Sequence, residues 1–334
     1  MSVATGACRI SPNFPLTLHQ RNNAVAAIQQ LLQALGMLDI SLVERGDFCE
    51  FTHTALREFQ ANRGLPQDGV CDRNAWDALI EASWLSGARL LYLTSPHLRG
   101  DDIMALQTNL AQLGFDCGRI DGILGPNTVR SLTDFQQNYG LVADGICGAE
   151  TLQALSRMSS QTGSGPGIVS VRESEKLHHA ARIGSSLKIV VGCFGDLQSV
   201  SRGLTRKLRE HYDDVMTVEE SDPTLHATSA NSFQADTYVG IAASTAQHHE
   251  IIYYETEGFS SPGGRRLAEA ISAQLNDLKI GQFAVRGMRL PILRATRMPA
   301  VVCIFGQGLQ PEFGAIADSI CTAVTSWFSP QNPA

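Results

Sequence analysis

The stretch MPAVVCIFG, residues 298–306, places six apolar residues between a proline and a glycine. Such a run is typical of a buried strand in an α/β sheet that is covered on both faces. In open α/β sheets, ligands and catalytic groups lie just beyond the carboxyl ends of the strands. At that end this stretch carries Ile304, Phe305 and Gly306, none of which moves a proton or holds a metal. The sequence therefore predicts a central strand without chemistry at its end.

Strands and helices alternate around this stretch from residue 186 onward. Apolar runs predict strands at 187–194, 215–220, 237–244, 250–256 and 300–306. Helical patterns lie between or after them, at 197–211, 224–234, 264–278 and 312–328. This alternation implies an α/β domain with a mainly parallel sheet and helices on both faces. We assign residues 186–330 to this domain and the preceding segment, which is rich in Gly, Ser and Pro, to a linker at 159–185.

The first half of the chain contains an internal repeat. Residues 24–38 match residues 102–116, and residues 54–79 match residues 130–155. Apolar residues at helical spacing, helices that stop at glycine and Asp-Gly turns predict three short helices in each copy. The predicted segments are an N-terminal arm at 1–20, a first module at 21–82 and a second module at 99–158.

Turn residues form the most specific motif of the repeat. The second copy contains Asp-Gly-x-x-Gly-x-x-Thr twice, beginning at Asp121 and at Asp144. Asp accepts hydrogen bonds from turn N–H groups, and Gly adopts the positive φ that other residues resist. We therefore expect a mainly architectural role for these residues. The same two turns supply the candidate peptide-binding residues, which are Asp121, Gly122, Gly125, Asp144, Gly145 and Gly148.

Together with its LGF, FQ and GL-x-x-DG motifs, the repeat resembles the peptidoglycan-binding-like domain, a three-helix module that holds cell-wall peptides. The resemblance implies two all-α three-helix modules ahead of the α/β domain. The first copy departs from the motif, because Arg45-Gly46-x-x-Cys49 stands where the second copy has Asp-Gly-x-x-Gly. We therefore describe the first module as degenerate and leave open whether it binds a ligand.

The C-terminal domain resembles the zinc-dependent N-acetylmuramoyl-L-alanine amidases, which cleave the bond between glycan and stem peptide. Three segments carry the resemblance: LKIVVGCFG (187–195), ADTYVGIAAS (235–244) and LRATRMPAVVCIFG (293–306). The family reads D-P-G-H-G-G after the first strand, S-I-H-A-N in the second segment and V-E-x-G-F at the end of the third. An active member of this family needs two His and one Glu on zinc, with another Glu to take a proton from water.

The functional positions of that family hold other residues in this sequence. The first His position falls at Gly195 and the ligand Glu near Leu197, next to Asp196. The second His position is Ala242, and the catalytic Glu position is Ile304. Alanine and isoleucine have no lone pair for a metal or a proton. We therefore predict no catalytic residue and no zinc or other metal site, and we interpret the central strands as core.

Three other segments contain residues that bind metals or anions. His248 and His249 are adjacent, and neighbours in an extended chain point to opposite faces, so they do not readily share a metal. His178 and His179 lie in or near the linker, and no CxxC or HxxxH spacing occurs. Residues 258–267 form a Gly- and Pro-rich turn into a helix, where free N–H groups can hold an anion. A plain helix entry with solvated arginines is the favoured interpretation of that turn.

The composition is that of an ordinary globular protein. Of the 334 residues, 43% are hydrophobic and 18% are charged, and the formal net charge is -7. This charge favours no nucleic acid partner, and no apolar run approaches the ~20 residues of a membrane span. The first 23 residues lack a basic start followed by an apolar core, so we predict a cytoplasmic protein. The eight cysteines form no CxxC pair, which favours reduced thiols.

The whole arrangement resembles the actinobacterial cytoplasmic amidase-like proteins of CwlM type. Shared phrases are LGMLD (35–39), GARLLY (87–92), GDD (100–102), ADGICGAETL (143–152) and LRATRMP (293–299). The resemblance implies a regulator of peptidoglycan precursor synthesis whose partner is UDP-N-acetylglucosamine enolpyruvyl transferase. It also implies phosphorylation of a Thr in a C-terminal tail. Because this sequence has no Thr beyond Thr325, we expect that switch to be absent or to act elsewhere.

Three functions are consistent with these observations. The first, which the sequence favours, is a non-catalytic regulator that binds a cytoplasmic enzyme of peptidoglycan synthesis. The second is a zinc-dependent amidase, and thus a peptidoglycan hydrolase, with rearranged ligands. The third is a module that binds stem peptides or a lipid-linked precursor through the second copy of the repeat.

Overall fold

A computed structural model describes residues 12–159, 168, 186–244, 246–256, 259–307 and 313–328. The chain divides into two compact units, Met1–Val169 and Ser170–Ala334. The first unit is helical, and the second is an α/β domain. The prediction of helical modules followed by an α/β domain with a mainly parallel sheet is therefore confirmed.

The described part of the first unit contains six α-helices and one 3₁₀ turn. In chain order these are α1 (Asn23–Ala34), the 3₁₀ turn (Ile40–Leu42), α2 (Glu50–Asn62), α3 (Arg73–Ala82), α4 (Asp101–Gln112), α5 (Pro126–Asn138) and α6 (Ala149–Ser159). Each copy of the repeat contributes three of the α-helices. The side chain of Asn22 accepts a hydrogen bond from the N–H of Val25 and so caps α1. Gly36 and Gly114 follow α1 and α4 with φ of 73° and 88°, which is the usual way to end a helix.

Each helical module has its own hydrophobic core. The two cores use matching positions of the repeat, with Ile28, Leu56, Phe59 and Leu79 in the first and Leu106, Leu132, Phe135 and Leu155 in the second. The segment between the modules is held by Arg89, whose guanidinium donates to both carboxylate oxygens of buried Asp102 at 2.8 and 3.0 Å. The same guanidinium lies 4.2 Å from the ring centroid of Trp84. The helical unit is therefore stabilised by two separate cores and an anchored connection.

In the described residues, the second unit is a seven-stranded sheet flanked by helices. The strands are β1 (Lys188–Phe194), β2 (Asp214–Glu219), β3 (Thr237–Ala243), β4 (His249–Thr256), β5 (Phe259–Ser260), β6 (Phe283–Met288) and β7 (Ala300–Phe305). The helices are α7 (Gln198–Leu208), α8 (Pro223–Phe233), α9 (Pro262–Asp277), α10 (Pro291–Ala295) and α11 (Phe313–Phe328). The strand order is β2-β1-β3-β7-β4-β5, and β6 pairs with β4. The sheet is mixed, because β4 runs antiparallel to β7 and β5 while the other pairs are parallel.

Strand β7 is the central strand that the stretch at 298–306 predicts. It lies between β3 and β4, and all of its residues are buried except Ile304, which is half-buried. Val301, Cys303 and Phe305 pack into one core with side chains from α7, α9 and α11. The helices α8 and α10 pack against β1, β4 and β7 and against each other. One face of the sheet is therefore covered by α7, α9 and α11 and the other by α8 and α10.

Two strands and one short helix are absent from the sequence prediction. Only the first and last residues of β6 are buried, and the four residues between them, which include Arg286 and Gly287, are partly or fully exposed. Such a strand lacks the continuous apolar run that marks the central strands, so periodicity does not reveal it. The elements β5 and α10 have only two and five residues, too few for a periodic signal. In the described part of the chain, every helix is too short or too polar to cross a membrane.

Candidate functional site

The carboxyl ends of β1, β3 and β7 meet at one edge of the sheet. Phe194 of β1 pairs with Ala242 of β3, and Ala242 pairs in turn with Ile304 of β7. Paired residues lie side by side on the same face of a sheet. Ala242 and Ile304, which stand where the amidase family has its second His and its catalytic Glu, are therefore direct neighbours in the sheet. Gly195 follows Phe194 at the same edge. This is the part of an open α/β sheet where ligands bind.

The strand ends at this edge are not fully covered. Ala242 and Ile304 are half-buried, and Gly195 is exposed. The interpretation of the central strands as core therefore holds along most of their length, and it does not extend to Ala242 and Ile304 at their carboxyl ends. Within the described residues, the helices that pack on the face of the sheet where these two residues lie are α8 and α10, and the carboxyl edge beside them is partly exposed. Leu197, at the entry to α7, is half-buried and packs against the core on the other face.

The side chains at this edge do not fit a catalytic zinc ion. Such an ion takes three protein ligands from His, Cys, Asp or Glu and keeps one position open for water. The side chains at Leu197, Ala242 and Ile304 carry no nitrogen, oxygen or sulfur, and Gly195 has no side chain. Within the described ranges, no three His, Cys, Asp or Glu side chains lie close enough together to hold a metal. We therefore derive no catalytic step through zinc.

Glu250 is a functional group at this edge that the sequence analysis missed. It pairs with Ile304 across the antiparallel ladder of β7 and β4, so its side chain lies on the same face. Its carboxylate accepts a hydrogen bond from Arg286 at 2.7 Å, and Nε2 of His248 lies 3.4 Å from the same oxygen. The Glu250 side chain is only 11% exposed. If β4 ran parallel to β7, Glu250 near its start would lie at the opposite edge of the sheet. The place of Glu250 beside Ile304 therefore follows from the observed antiparallel direction of β4.

The two adjacent histidines have different surroundings. Nδ1 of His249 accepts a hydrogen bond from the N–H of Gly306 at 2.9 Å, and the buried ring stacks on Phe283 with a centroid distance of 4.7 Å. His248 is exposed. A Cβ at Gly306 would lie 2.5 Å from the carbonyl oxygen of His248, so this close approach requires glycine. The other pair, His178 and His179, lies outside the described residues.

The turn before α9 has the features of an ordinary helix entry. The hydroxyl of Ser261 accepts a hydrogen bond from the N–H of Gly264 at 3.1 Å, which caps the helix. Arg265 pairs with Glu269 one turn later, at 2.9 Å. The cap and this ion pair favour the structural interpretation of the turn over an anion site.

A buried His–Tyr pair lies under the same face of the sheet. The side chains of His226 on α8 and Tyr238 on β3 are fully buried, and Nδ1 of the first is 2.8 Å from the hydroxyl of the second. Nε2 of His226 is 2.8 Å from the carbonyl oxygen of Glu220. Because a carbonyl only accepts, Nε2 carries the proton and the tyrosine hydroxyl donates to Nδ1. The His226 ring also stacks on Phe194, which links the pair to the sheet edge described above.

We expect the α/β domain to lose stability as the pH falls below about 6.5, the usual pKa of histidine in an unfolded chain. Burial lowers the pKa of His226 in the folded protein, so the unfolded chain binds the proton more readily. The stabilisation is therefore complete above that pH and declines below it. Urea unfolding at several pH values measures this slope. Because burial also lowers the pKa of His249, His226→Gln should reduce the slope without abolishing it, and exposed His211→Gln should leave it unchanged. Equal slopes in wild type and His226→Gln would contradict the assignment.

Four buried glutamines hold the turns of the helical modules. Each Oε1 accepts a hydrogen bond from the N–H of a turn glycine, in the pairs Gln29–Gly46, Gln60–Gly69, Gln107–Gly122 and Gln136–Gly145, at 2.7 to 2.9 Å. All four glycines have positive φ. The threonine that ends the Asp-Gly-x-x-Gly-x-x-Thr motif also contacts its glutamine, at 3.1 Å for Thr128 and 3.4 Å for Thr151. The motif therefore describes one repeated structural unit.

The turn of the first module keeps this geometry although it lacks the Asp. Nε2 of Gln29 donates to the carbonyl oxygens of Glu44 and Asp47 at 3.0 and 2.9 Å. Gly46, which follows Arg45, has a φ of 81°. The departure from the motif thus removes a carboxylate and leaves the turn intact.

The candidate peptide-binding residues of the second module serve the turns themselves. One carboxylate oxygen of Asp121 accepts from the N–H of Ile123 at 2.8 Å and from Gln107 at 3.0 Å. Asp144 makes the same contacts in the other turn, and hydrogen bonds from the N–H of Ile146 and from Gln136 lower the pKa of its carboxyl group. Gly122 and Gly145 supply positive φ, and Gly125 begins α5 as its N-cap.

Exposed apolar side chains surround one of these turns. Leu90, Val142 and Ile146 are 59%, 75% and 39% exposed. Leu91 and Cys147 form an antiparallel bridge, which brings Leu90 beside the turn, and a Cβ at Gly148 would lie 3.5 Å from Leu90. Val142 precedes residues 144–148 and Ile146 lies within them, and sequence periodicity does not single out these side chains. Together with Leu90 they form an exposed apolar surface at the turn.

The described cysteines are free thiols. They are Cys49, Cys71, Cys117, Cys147, Cys193, Cys303 and Cys321, and all but the first are buried. Burial raises the pKa of Cys117, Cys147 and Cys303 to about 12, so these thiols are protonated and unreactive at neutral pH. Cys8 lies outside the described residues.

Similarity to known proteins agrees with this architecture. Residues 21–79 and 99–155 match the peptidoglycan binding domain family. The chain is 32% identical over 336 residues to the N-acetylmuramoyl-L-alanine amidase CwlM of Mycobacterium tuberculosis, and the match covers 87% of this chain and 82% of that protein. A 56-residue stretch is 43% identical to the spore cortex-lytic enzyme of Bacillus cereus, covering 17% of this chain and 22% of that enzyme.

Among solved structures, the catalytic domain of the N-acetylmuramoyl-L-alanine amidase CwlV from Bacillus (Paenibacillus) polymyxa is similar at 15% identity and a TM-score of 0.35. That match covers 42% of this chain and 98% of the CwlV domain. The sequence matches define a class of protein in which peptidoglycan-binding modules precede an amidase-like domain. Within that class, this chain belongs to the family of N-acetylmuramoyl-L-alanine amidase CwlM.

Proposed function

We propose that this protein is a non-catalytic member of its family that regulates peptidoglycan precursor synthesis in the cytoplasm by binding a partner enzyme. The observation that carries the proposal is the set of residues at the carboxyl edge of β1, β3 and β7. Ala242 and Ile304 are neighbours in register there, at the positions where an amidase needs an imidazole and a carboxylate. A zinc hydrolase uses its metal to activate water, and side chains without lone pairs supply no such site. The role that we propose for this domain is therefore binding without hydrolysis.

The partner we propose is UDP-N-acetylglucosamine enolpyruvyl transferase, which the resemblance to the CwlM type implies. The test mixes the two purified full-length proteins and measures their mass in solution and the transferase rate. We expect a complex and a changed rate. A second cytoplasmic enzyme that uses a UDP-sugar serves as the control and should form no complex. Two separate species and an unchanged transferase rate would exclude this partner.

A second candidate function, binding of stem peptides or a lipid-linked precursor, is favoured by the apolar surface beside residues 144–148. Leu90, Val142 and Ile146 expose side chains next to a rigid turn, which suits the alkyl parts of a peptide. Titration of a precursor pentapeptide should shift the amide signals of 144–150. The matching turn of the first module, 68–74, serves as the internal control. If the signals of 144–150 do not shift, or shift no more than those of 68–74, the second module is not a specific peptide site.

A further inference from the structure

A cavity of about 230 Å³ opens beside the edge strand β2 of the α/β domain. It is lined by Arg202, Thr205 and Arg206 of α7, Arg209 just after that helix, and Thr217 of β2. In the described part of the chain, β2 pairs with β1 alone, so the cavity lies at an open side of the sheet. Neither the amidase resemblance nor the proposed function uses these residues.

The three arginines of the cavity present their guanidinium groups on one side of α7. Their spacing, i, i+4 and i+7, places Arg202, Arg206 and Arg209 along the same helix face. Arg202 donates two hydrogen bonds to Glu219, at 2.9 and 2.7 Å. Arg209 donates through Nε and Nη2 to the carbonyl oxygen of Val215, at 3.3 and 3.0 Å. The two outer guanidinium groups are therefore anchored to β2 and hold the walls of the cavity in place.

Arg206 lies between these anchored groups. It is exposed, and the described part of the chain offers it neither a hydrogen bond nor an ion pair. Its neighbour Lys207 is already paired with Asp318 at 2.8 Å. The carboxylate of Glu219 balances one of the three guanidinium charges of the cavity, because both of its oxygens accept hydrogen bonds from Arg202. The cavity thus carries an excess of positive charge whose central group has no protein partner.

The two threonines add a hydroxyl group to the cavity wall. Thr205 donates its proton to the carbonyl oxygen of Ser201 at 2.8 Å. The hydroxyl of Thr217 lies 2.7 Å from that of Thr205, so Thr217 is the donor of this pair. Rotation about its χ1 bond or its C–O bond would let Thr217 donate to a ligand instead. The cavity therefore offers guanidinium and hydroxyl donors and little acceptor capacity.

We propose that this cavity binds the phosphate or diphosphate group of a small metabolite. A planar guanidinium matches the spacing of phosphate oxygens with two parallel hydrogen bonds, and a multiply charged anion gains most from several arginines. The volume suits a phosphate group with a small attached part and is too small for a folded partner. The inference is independent of the proposed function and of any amidase activity.

The test measures binding of pyrophosphate and of inorganic phosphate to the full-length protein by calorimetry. Arg206→Gln should weaken pyrophosphate binding about tenfold, because it removes charge-assisted hydrogen bonds to the anion. The matched control is Arg266→Gln, which removes the same charge from an exposed position on α9 and should leave the affinity within about twofold. Unchanged thermal unfolding of both variants establishes that they fold.

Three results would overturn this inference. One is the absence of phosphate and pyrophosphate binding to the wild type at millimolar concentration. Another is an equal loss in Arg206→Gln and Arg266→Gln, which would indicate attraction to the net charge alone. The third is binding to vesicles that contain phosphatidylglycerol without binding of free pyrophosphate, which would assign the site to a lipid headgroup. Pyrophosphate binding that depends on Arg206 and not on Arg266 would support it.

Discussion

Gln136→Met is expected to destabilise the second helical module by about 3 kcal/mol. The Gln136 side chain is 1% exposed. Its Oε1 accepts from the N–H of Gly145 at 2.9 Å, and its Nε2 donates to Asp144 and to the carbonyl oxygen of Ile146, both at 3.0 Å. Methionine keeps the volume of the side chain and removes these three contacts together with the contact to Thr151 at 3.4 Å. A buried N–H and a carbonyl then lose their partners, and this unmet hydrogen bonding is the main cost.

The next residue of the same helix supplies the control for that substitution. Gln137 is exposed, so Gln137→Met should change the stability by no more than about 0.5 kcal/mol. Hydrogen exchange of residues 130–155 in the full-length protein, read by mass spectrometry, measures both effects in the module itself. If the two variants exchange at the same rate, the buried amide is not what holds the turn.

Gly192→Ala is expected to destabilise the α/β domain by about 3 kcal/mol. A Cβ at Gly192 would lie 1.9 Å from the hydroxyl oxygen of Tyr238 and 2.6 Å from Nδ1 of His226. Both side chains are fully buried and hydrogen-bonded to each other, so neither moves away without loss of packing or of that bond. The midpoint of urea unfolding of the domain measures the effect.

Two further variants define the cause of this loss. Gly314→Ala is the control, because a Cβ there has no heavy atom within 4 Å and the residue lies in α11, where alanine is favoured by about 0.5 to 1 kcal/mol. Tyr238→Phe added to Gly192→Ala removes the nearest atom of the clash and should recover part of the loss. A Gly192→Ala variant as stable as Gly314→Ala would mean that this face of the sheet is loosely packed.

The sequence predicts the elements whose signals are local. The Asp-Gly turns are visible because Gly69, Gly122 and Gly145 must adopt positive φ, and few other residues do so. Strand β7 is visible because a strand covered on both faces is a continuous apolar run. The role of Gln107 is not visible, because it contacts Asp121, fourteen positions further along the chain. Spacing within a helix does not reveal a contact that the tertiary fold creates.

The candidate site was only partly predictable for the same reason. The family resemblance locates Ala242 and Ile304, and the register makes them neighbours. The presence of Glu250 beside them depends on the antiparallel direction of β4, which no local pattern encodes. Ile304 is half-buried on the face of the sheet that α8 and α10 cover, and α10 is a five-residue helix without a periodic signal. The direction of a strand and the area of the sheet that helices cover are set by the tertiary fold, so local sequence patterns do not predict them.

Glu250 and His248 are two groups beside Ile304 that an amidase with rearranged ligands would use. They lie 3.4 Å apart at the edge that carries Ile304. A catalytic zinc ion needs three protein ligands, and within the described residues no third His, Cys, Asp or Glu lies close enough to complete a metal site. Glu250→Gln would remove the carboxylate and nearly preserve the shape of the side chain. Hydrolytic activity that depends on Glu250 would be lost in this variant, whereas a protein that only binds would have no such activity to lose.

The most direct test of a non-catalytic α/β domain is the zinc content of the purified full-length protein, measured together with release of peptide from muropeptides. After incubation with zinc and removal of the excess, we expect far less than one zinc ion per chain. We also expect no peptide release from wild type or from Glu250→Gln. One tightly held zinc ion per chain, with peptide release that Glu250→Gln abolishes, would contradict the proposal of a non-catalytic domain.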